Sequence, residues 1–542
     1  MPVILFVILL AVYFLWARNA EGLNAKVWRW TGRPLLFGCL PAAAILEGVG
    51  DAPLFKALAL TYAAGMVCIL VAEYFGFGSS SGSDSHRRGA KLLSADKLAS
   101  CTAREKSRFR LGQVAIPERV EPFHFLIAGG TGAGKSQAFH QILTAAREQG
   151  QTAVVPDVGY EFTSKYFDPV LGDIILNPAD YRAADWSPLA EMRSEFDADT
   201  LAKSLCPDKQ GPDGEWQLYG QTLISAVLHR LYEAGTGTNA ELVRLLTIAP
   251  ADELAKVVEG LPAQAYFDAG ASRMLSGIRA IVSSYIKPLA MLNPETGEHG
   301  FSIRRNIENH AGGWIFLPAQ NDQLQTLKPL VAAQVDIAIN ALLSLSPSST
   351  RRVWFAIDEF ASWGRIQSIE PLLTKARKNG GCGALGIQSI SQVRETYGRD
   401  NAQTLLSCLG TWLTLRAGDP ETAEFVSKYI GDEEIRRVTE GGNKDGKSWN
   451  EQIAKQRAVM PAEMQNLPDR VGVLNIVGPI PAGWVTVPIC ERPEQADRFL
   501  PKERIRNVKP LTAARLAPPK EPQPAPSEID VESLLDEPAE SR

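Results

Sequence analysis

Short, unbroken apolar runs alternating with longer stretches of helical periodicity set the pattern of the chain. Residues 125–128, 151–155, 313–317, 353–357 and 383–387 are mostly apolar, and each run is closed by a glycine, a proline, an acid or an amide. Runs of that length and continuity predict strands covered on both faces, as in a parallel sheet. Apolar residues three and four apart at 137–146, 325–345, 369–378 and 420–430 predict helices between them. Shorter strands are predicted at 173–177 and 411–416, and a hairpin from 471–477 and 484–489 about residues 479–483. Strands and helices in alternation define an α/β fold. Ahead of it, residues 92–116 read as a short amphipathic lead-in with a hairpin-like end. Later, 441–449 reads as a polar, glycine-rich loop and 460–467 as a helix and turn.

Residues 186–294 break this alternation. Apolar residues at helical spacing recur at 187–192, 199–205, 219–234, 240–246, 251–258 and 271–292, with no convincing strand between them, so an all-α insert is expected inside the α/β domain. Arg273, Arg279 and Lys287 either present a basic face to nucleic acid or belong to an ordinary solvated surface.

The amino-terminal stretch differs again. Residues 3–17, 35–46 and 57–77 are apolar, and the third run is long enough to span a bilayer of roughly 30 Å. Arg18, Lys26, Arg29 and Arg33 stand against Glu21 between the first two runs, and His86, Arg87, Arg88 and Lys91 follow the third. The positive-inside rule puts both segments in the cytoplasm and predicts three transmembrane helices. Pro41 and Glu47 weaken the middle run and leave an alternative of two, with residues 18–56 outside. No basic region precedes the first run and no small-residue cleavage site follows it, which favours a retained helix over a removed signal peptide. A Gly/Ser-rich joint, 76–84, leads to the body.

Charge and cysteine content narrow the picture modestly. A net charge of −5 gives no overall basic signal, so any nucleic-acid contact needs local patches or a pore shared between subunits. Seven scattered cysteines without a Cys-x-x-Cys pair argue against zinc ligands or a disulfide framework and for reduced thiols in a cytoplasmic body.

Two of the strand ends carry chemistry. The run 125–128 enters Gly129, Gly130, Thr131, Gly132, Ala133, Gly134, Lys135 and Ser136, and a helix follows at once. That is a P-loop in its proper context: glycines free the backbone to take positive φ and turn N–H groups toward phosphate, Lys135 reaches the β and γ phosphates, and Ser136 offers a hydroxyl to Mg²⁺. The run 353–357 ends in Asp358-Glu359-Phe360, the form of a Walker B element, with Asp358 as a Mg²⁺ ligand and Glu359 as the base for water. Asp157, just past another strand, either faces the nucleotide or caps a turn. Gln388, at the tip of 383–387, either senses the γ phosphate or only satisfies a strand end.

In order along the chain, the P-loop, the Asp157 strand, Asn177-Pro178, the helical insert, the Trp314 strand, Asp358-Glu359-Phe360, Arg377, Gly386-Ile387-Gln388-Ser389 and the apolar amino terminus resemble the type IV secretion coupling proteins of bacterial conjugation, the TraD and TrwB group. Arg88-Gly89-Ala90-Lys91 and Leu111-Gly112 also look like that group, and the resemblance spans about residues 1–500. It implies a multi-pass ATPase of the bacterial inner membrane with its body in the cytoplasm, ATP and Mg²⁺ as cofactors, and a hexameric ring. It also implies a recombination-protein-like nucleotide domain in two parts, 78–185 and 295–508, around the insert 186–294, with an anchor at 1–77. The implied partners are a relaxase and accessory relaxosome proteins, subunits of the secretion channel, and single- or double-stranded DNA bound without sequence preference. On that pattern Arg377 is an arginine finger for the neighbouring subunit, and Gln388 a sensor. Arg377 is otherwise a cation favoured by the end of its helix. The family commonly shows two crossings, which the middle apolar run puts in question.

Arg394, Arg399 and Lys444 are candidates for lining a DNA channel, which needs basic and stacking groups rather than base readers. The tail 509–542 is proline-rich and then acidic, with Glu521, Glu528, Asp530, Glu532, Asp536, Glu537 and Glu540 against Arg542, and is expected to be disordered. It is either a docking tail, with Ile529, Val531, Leu534 and Leu535 folding on binding, or an inert solubilising one. Two other functions stay open on the sequence: a nucleotide-gated receptor that is no motor, and a DNA translocase outside secretion.

Overall fold

The computed structural model describes residues 85–502, apart from 210, 212–213, 269–271, 310–311 and 444–445. The apolar amino-terminal runs, the Gly/Ser joint, Lys444 and the acidic tail lie outside the described residues. Two units are distinguished. The smaller holds the described residues up to Arg87 together with Glu434–Ala454, and the larger holds Arg88–Glu433 and Lys455 onward.

A nine-stranded sheet organises the larger unit. Its strands are β1 (Phe125–Ala128), β2 (Thr152–Val158), β3 (Ile174–Ile175), β4 (Ile315–Ala319), β5 (Val353–Ile357), β6 (Gly381–Ile387), β7 (Thr411–Thr414), β8 (Val471–Asn475) and β9 (Gly483–Thr486). They lie in the order β9-β8-β7-β1-β6-β5-β2-β4-β3. All neighbours from β7 to β3 run parallel, while β8 and β9 close the other edge antiparallel. Every residue of β1, β4, β5, β6 and β7 is buried. Successive side chains point to opposite faces of a sheet, so one strand feeds two cores. Phe125 and Ile127 pack with Phe139, Ile142 and Trp354 on one face. Leu126 joins the helical segment and Leu330, Ile337 and Trp363 on the other.

Two helices fix the layers. Helix α1 (Lys135–Glu148) follows β1 and buries Ala138, Phe139, Ile142, Leu143 and Ala146, the spacing of one helical face. Helix α2 (Leu324–Ser344) is the only one among the described residues long and apolar enough to cross a bilayer, but it is mostly buried inside the fold. Between β3 and β4 the chain is helical, with Asp197–Leu205, Gly214–Ala234, Asn239–Thr247, Ala251–Val257, Ser272–Ile286 and Ile303–Asn309. The stretch expected as one helix over 271–292 ends at Ile286 and continues as a 3₁₀ segment, Lys287–Met291, because Pro288 cannot donate the next backbone bond.

Of the loop expected at 441–449, residues 441–443 and 446–449 are strand instead. Strands Asp432–Asn443 and Gly446–Arg457 run through it. In the smaller unit, residues 434–443 form the middle strand of three, between 85–87 and 446–454. Their polar composition hid a ladder built from backbone bonds.

Candidate nucleotide site

Strand β1 ends at the glycine loop, and α1 begins at its far side. Of the four glycines expected at positive φ, only Gly132 (φ 74°) and Gly134 (φ 104°) adopt it. Gly129 and Gly130 serve close approach instead. A Cβ on Gly129 would lie 3.0 Å from Leu415 Cβ, and one on Gly130 would lie 3.1 Å from Gly418 Cα. The Gly130 N–H donates to the Arg416 carbonyl at 2.8 Å, which ties the loop to the end of β7. Arg470, itself at positive φ, donates its N–H to the Ala133 carbonyl at 2.9 Å and lies against Gly134. The open N–H groups at the start of α1 and its dipole make the loop a cradle for anions.

Strand β5, two places from β1, brings the acid pair to the same edge. Ser136 Oγ donates to Asp358 Oδ2 at 2.9 Å. Lys135 Nζ, almost wholly buried, donates to the Gly129 carbonyl at 3.0 Å and stands 3.8 Å from Glu359 Oε1. Gln388, at the end of the intervening β6, donates from Nε2 to the same Glu359 Oε1 at 2.8 Å. Burial pushes the Asp358 carboxyl up to about 7 against the pull of Lys135, with the charges of Glu359 and Glu161 adding to the rise. Asp358 Oδ1 is closed from solvent and has no hydrogen-bond partner. A buried carboxylate oxygen without a donor, beside a hydroxyl, is a donor set that suits a hard divalent cation.

Not every expected residue joins this cluster. Asp157 turns inward: its Oδ2 accepts from Thr163 N (2.6 Å) and Thr163 Oγ1 (2.7 Å), so it caps the helix Glu161–Tyr166. Arg377 lies before β6, at the amino edge of the sheet and away from its own P-loop, with its guanidinium 3.8 Å over the Phe123 ring. Arg279 is spent on the Ala249 carbonyl at 2.6 Å, so it leaves the basic face expected with Arg273 and Lys287. Arg394 pairs with Glu421, while Arg399 is exposed. Glu161, which the sequence reading passed over, stands at the carboxyl edge next to Ser136 and His140. Its one sequence signal is an acid placed just beyond the Gly159-Tyr160 turn that ends β2.

Strand, glycine turn, helix and an acid-tipped parallel strand two places away define the class of P-loop α/β proteins. Residues 108–488 match the family profile described as the type IV secretion-system coupling protein DNA-binding domain, and the chain belongs to that family of coupling proteins. It is 30% identical over 408 residues to the coupling protein TraD of Escherichia coli (strain K12), covering 73% of this chain and 57% of TraD. The chain thus spans little more than half the length of that relative. Over 172 residues, 31% of this chain and 26% of the relative, it is 27% identical to the protein VirD4 of Rhizobium rhizogenes. The solved structure of the bacterial conjugative coupling protein TrwB in an unbound form superposes with a TM-score of 0.72 and 32% identity, covering 78% of this chain and 98% of that one. TrwB in complex with ADP and Mg²⁺ superposes with a TM-score of 0.71 and 31% identity, covering 78% and 99%.

Proposed function

We propose that the chain is an inner-membrane ATPase that assembles as a homo-oligomer, a hexamer on the family pattern, and couples a relaxase-bound DNA to a type IV secretion channel. The observation that carries the reading is the Ser136–Asp358 hydrogen bond beside the unpartnered Asp358 Oδ1, with Glu359 held by Gln388 on the same edge. ATP and Mg²⁺ are the cofactors, in keeping with the TrwB complexes with the ATP analogue ADPNP and with ADP and Mg²⁺. Gly129, Gly130, Thr131, Gly132, Ala133, Gly134 and Lys135 cradle the phosphates, and Ser136 and Asp358 hold the Mg²⁺. Mg²⁺ bound there neutralises charge on the β and γ phosphates. Glu359 accepts the proton of the attacking water, and Gln388 keeps the carboxylate aimed.

Arg377 completes the site of the next subunit. Its place at the opposite edge of the sheet removes it from its own nucleotide, and its exposed side chain leaves the Phe123 ring to reach a neighbour. An arginine supplied in trans is worth roughly 10³ to 10⁵ in rate, which ties turnover to ring assembly. The apolar runs at 3–17, 35–46 and 57–77 anchor the chain in the membrane with its body in the cytoplasm. DNA is gripped through its backbone, without sequence preference, as transport requires.

The test is ATP hydrolysis by the full-length chain in detergent, with and without single-stranded DNA, for wild type, Lys135→Ala and Arg377→Ala. DNA-stimulated turnover, lost in each variant and partly restored when the two are mixed, supports the ring motor. Nucleotide binding without turnover, even on DNA, replaces it with a nucleotide-gated receptor.

A further inference from the structure

The turn that ends β2 is built at a cost. Gly159 (φ 77°) and then Tyr160 (φ 63°) both occupy the left-handed region. A tyrosine there is strained and persists only where its surroundings hold it. They do: Asn177 Nδ2 donates to Tyr160 Oη at 2.9 Å, and the Gly159 N–H donates to the Ala319 carbonyl at 2.9 Å. Buried Asp157 then fixes the following helix through Thr163. What this arrangement delivers to the carboxyl edge of the sheet is the first residue of that helix, Glu161.

Glu161 is held from behind and open in front. His140, wholly buried on α1, places Nε2 3.4 Å from Glu161 Oε1. Lys165 Nζ lies 3.2 Å from His140 Nε2, and His140 Nδ1 lies 3.1 Å from Tyr166 Oη. The Tyr166 hydroxyl donates in turn to the His140 carbonyl, which fixes the ring behind Glu161. His140 above all, with Lys165 and the Ser136 hydroxyl, holds the Glu161 carboxyl below the ordinary range. Its side chain is 40% exposed, and the Ser136 hydroxyl beside it donates to Asp358. Asp358, Glu359 and Glu161 act on one another at this edge: the charges of Glu359 and Glu161 both raise the Asp358 carboxyl, and of the three carboxylates only Glu359 is in ion-pair range of Lys135. The unpartnered Asp358 Oδ1 marks where a divalent cation belongs.

We propose that Glu161 is a third carboxylate of the nucleotide site, accepting hydrogen bonds from the hydration shell of the bound Mg²⁺ and so setting the affinity for the metal. Mg²⁺ keeps several waters when it binds, and carboxylates that orient them belong to the site as much as the direct ligands do. The inference rests on the reading of this edge as an ATP–Mg²⁺ site. A first-turn acid that only favours its helix dipole would have no such effect on the metal.

The experiment uses the full-length chain in detergent, with a fluorescent ADP analogue as the probe. Binding is followed during Mg²⁺ titration and, separately, in chelator, for wild type, Glu161→Gln, Glu161→Asp and Glu161→Ala. The expected result is a Mg²⁺ half-saturation raised about tenfold in Glu161→Gln. The loss is confined to the Mg²⁺ arm and partly recovered in Glu161→Asp. A Mg²⁺ dependence equal to wild type overturns the inference, and so does an equal loss in both arms with a lowered melting temperature, which marks a helix-end role alone. If the wild type binds no nucleotide in either arm, the reading of the site falls and takes this inference with it.

Discussion

A Cβ on Gly386 would lie 1.9 Å from the carbonyl oxygen of Asp358, so only glycine lets β6 and the end of β5 approach as closely as they do. The two strands are in register up to Ile357 opposite Leu385, one step before this contact. Gly386→Ala forces the strand ends apart and carries Asp358 away from Ser136. Overpacking of this kind costs about 1–3 kcal/mol. The expected outcome is a lower melting temperature together with loss of Mg²⁺-dependent nucleotide binding, whereas Gly159→Ala, with open space around its Cβ, lowers stability through its φ of 77° and leaves the Asp358 position untouched. Calorimetry and a nucleotide titration on the same samples check both.

Gln388 is the one side chain donating to Glu359 among the described residues. Gln388→Ala frees the carboxylate to rotate, so hydrolysis falls by about 10² while nucleotide affinity stays within a few-fold. Gln388→Glu replaces the donor with a second negative charge that repels the first, so it loses more activity than Gln388→Ala. Single-turnover hydrolysis separates the two variants. A loss of binding equal to the loss of hydrolysis would remove Gln388 from the catalytic group.

His124 gives a pH dependence of stability. It sits at φ 64° before β1, its Nδ1 accepts from the Gly383 N–H at 2.9 Å, and its buried Nε2 has no partner. Burial lowers its pKa to about 4 from 6.5, so the folded chain resists the proton that the unfolded chain accepts. Stability from this residue is present above pH 6.5 and lost as pH falls toward 4, by roughly 3 kcal/mol at about 1.4 kcal/mol per pH unit. Asparagine tolerates the same φ and keeps an acceptor for Gly383. Chemical denaturation of wild type and His124→Asn from pH 7 to 4 reads the difference, which cancels the titration of the shared acids.

The strands were legible where burial is complete and the boundary residue is chemical. Phe125–Ala128 and Val353–Ile357 are found at the predicted residues, since a fully covered strand has no polar face to blur it, and a glycine or an acid pair ends it. Pro156 misled the reading of β2, which runs on to Val158. β5 pairs with β2 only as far as Val154, so beyond that point a missing N–H on that side breaks no ladder, and Pro156 pairs with Leu317 of β4 instead. The strand expected at 173–177 is only Ile174–Ile175 because its ends are used otherwise. Asp173 accepts from Arg147 and the Trp314 N–H, and Asn177 donates to the Pro318 carbonyl.

The candidate site divides in the same way. Lys135, Ser136, Asp358, Glu359 and Gln388 lie at ends of neighbouring strands, so local motifs were enough to bring them together. Glu161 was not legible, because its approach depends on a positive-φ turn and on His140 from another helix, neither of which leaves a sequence period. Arg377, read from the sequence alongside the motif residues, lies apart from this cluster, over the Phe123 ring before β6.

Asp336 joins α2 to two other parts of the fold. Burial raises its carboxyl pKa, yet it accepts from the Ser204 hydroxyl, the Ser368 N–H and Asn340 Nδ2. Ser204 belongs to the helix Asp197–Leu205 of the helical segment, and Ser368 to the stretch after Asp358-Glu359. Three donors meet one carboxylate, so Asp336→Asn turns one acceptor into a donor facing a donor. Leaving a buried group unsatisfied in this way costs about 1–3 kcal/mol. Ser204→Ala removes one donor and leaves the other two satisfied, so it costs less. Hydrogen exchange distinguishes a shared hub from three separate bonds: Asp336→Asn speeds exchange at 197–205 and 366–372 together, and Ser204→Ala only at 197–205. Equal patterns from the two variants would mean that the helical segment and the stretch beyond Glu359 loosen as one body whichever bond is cut.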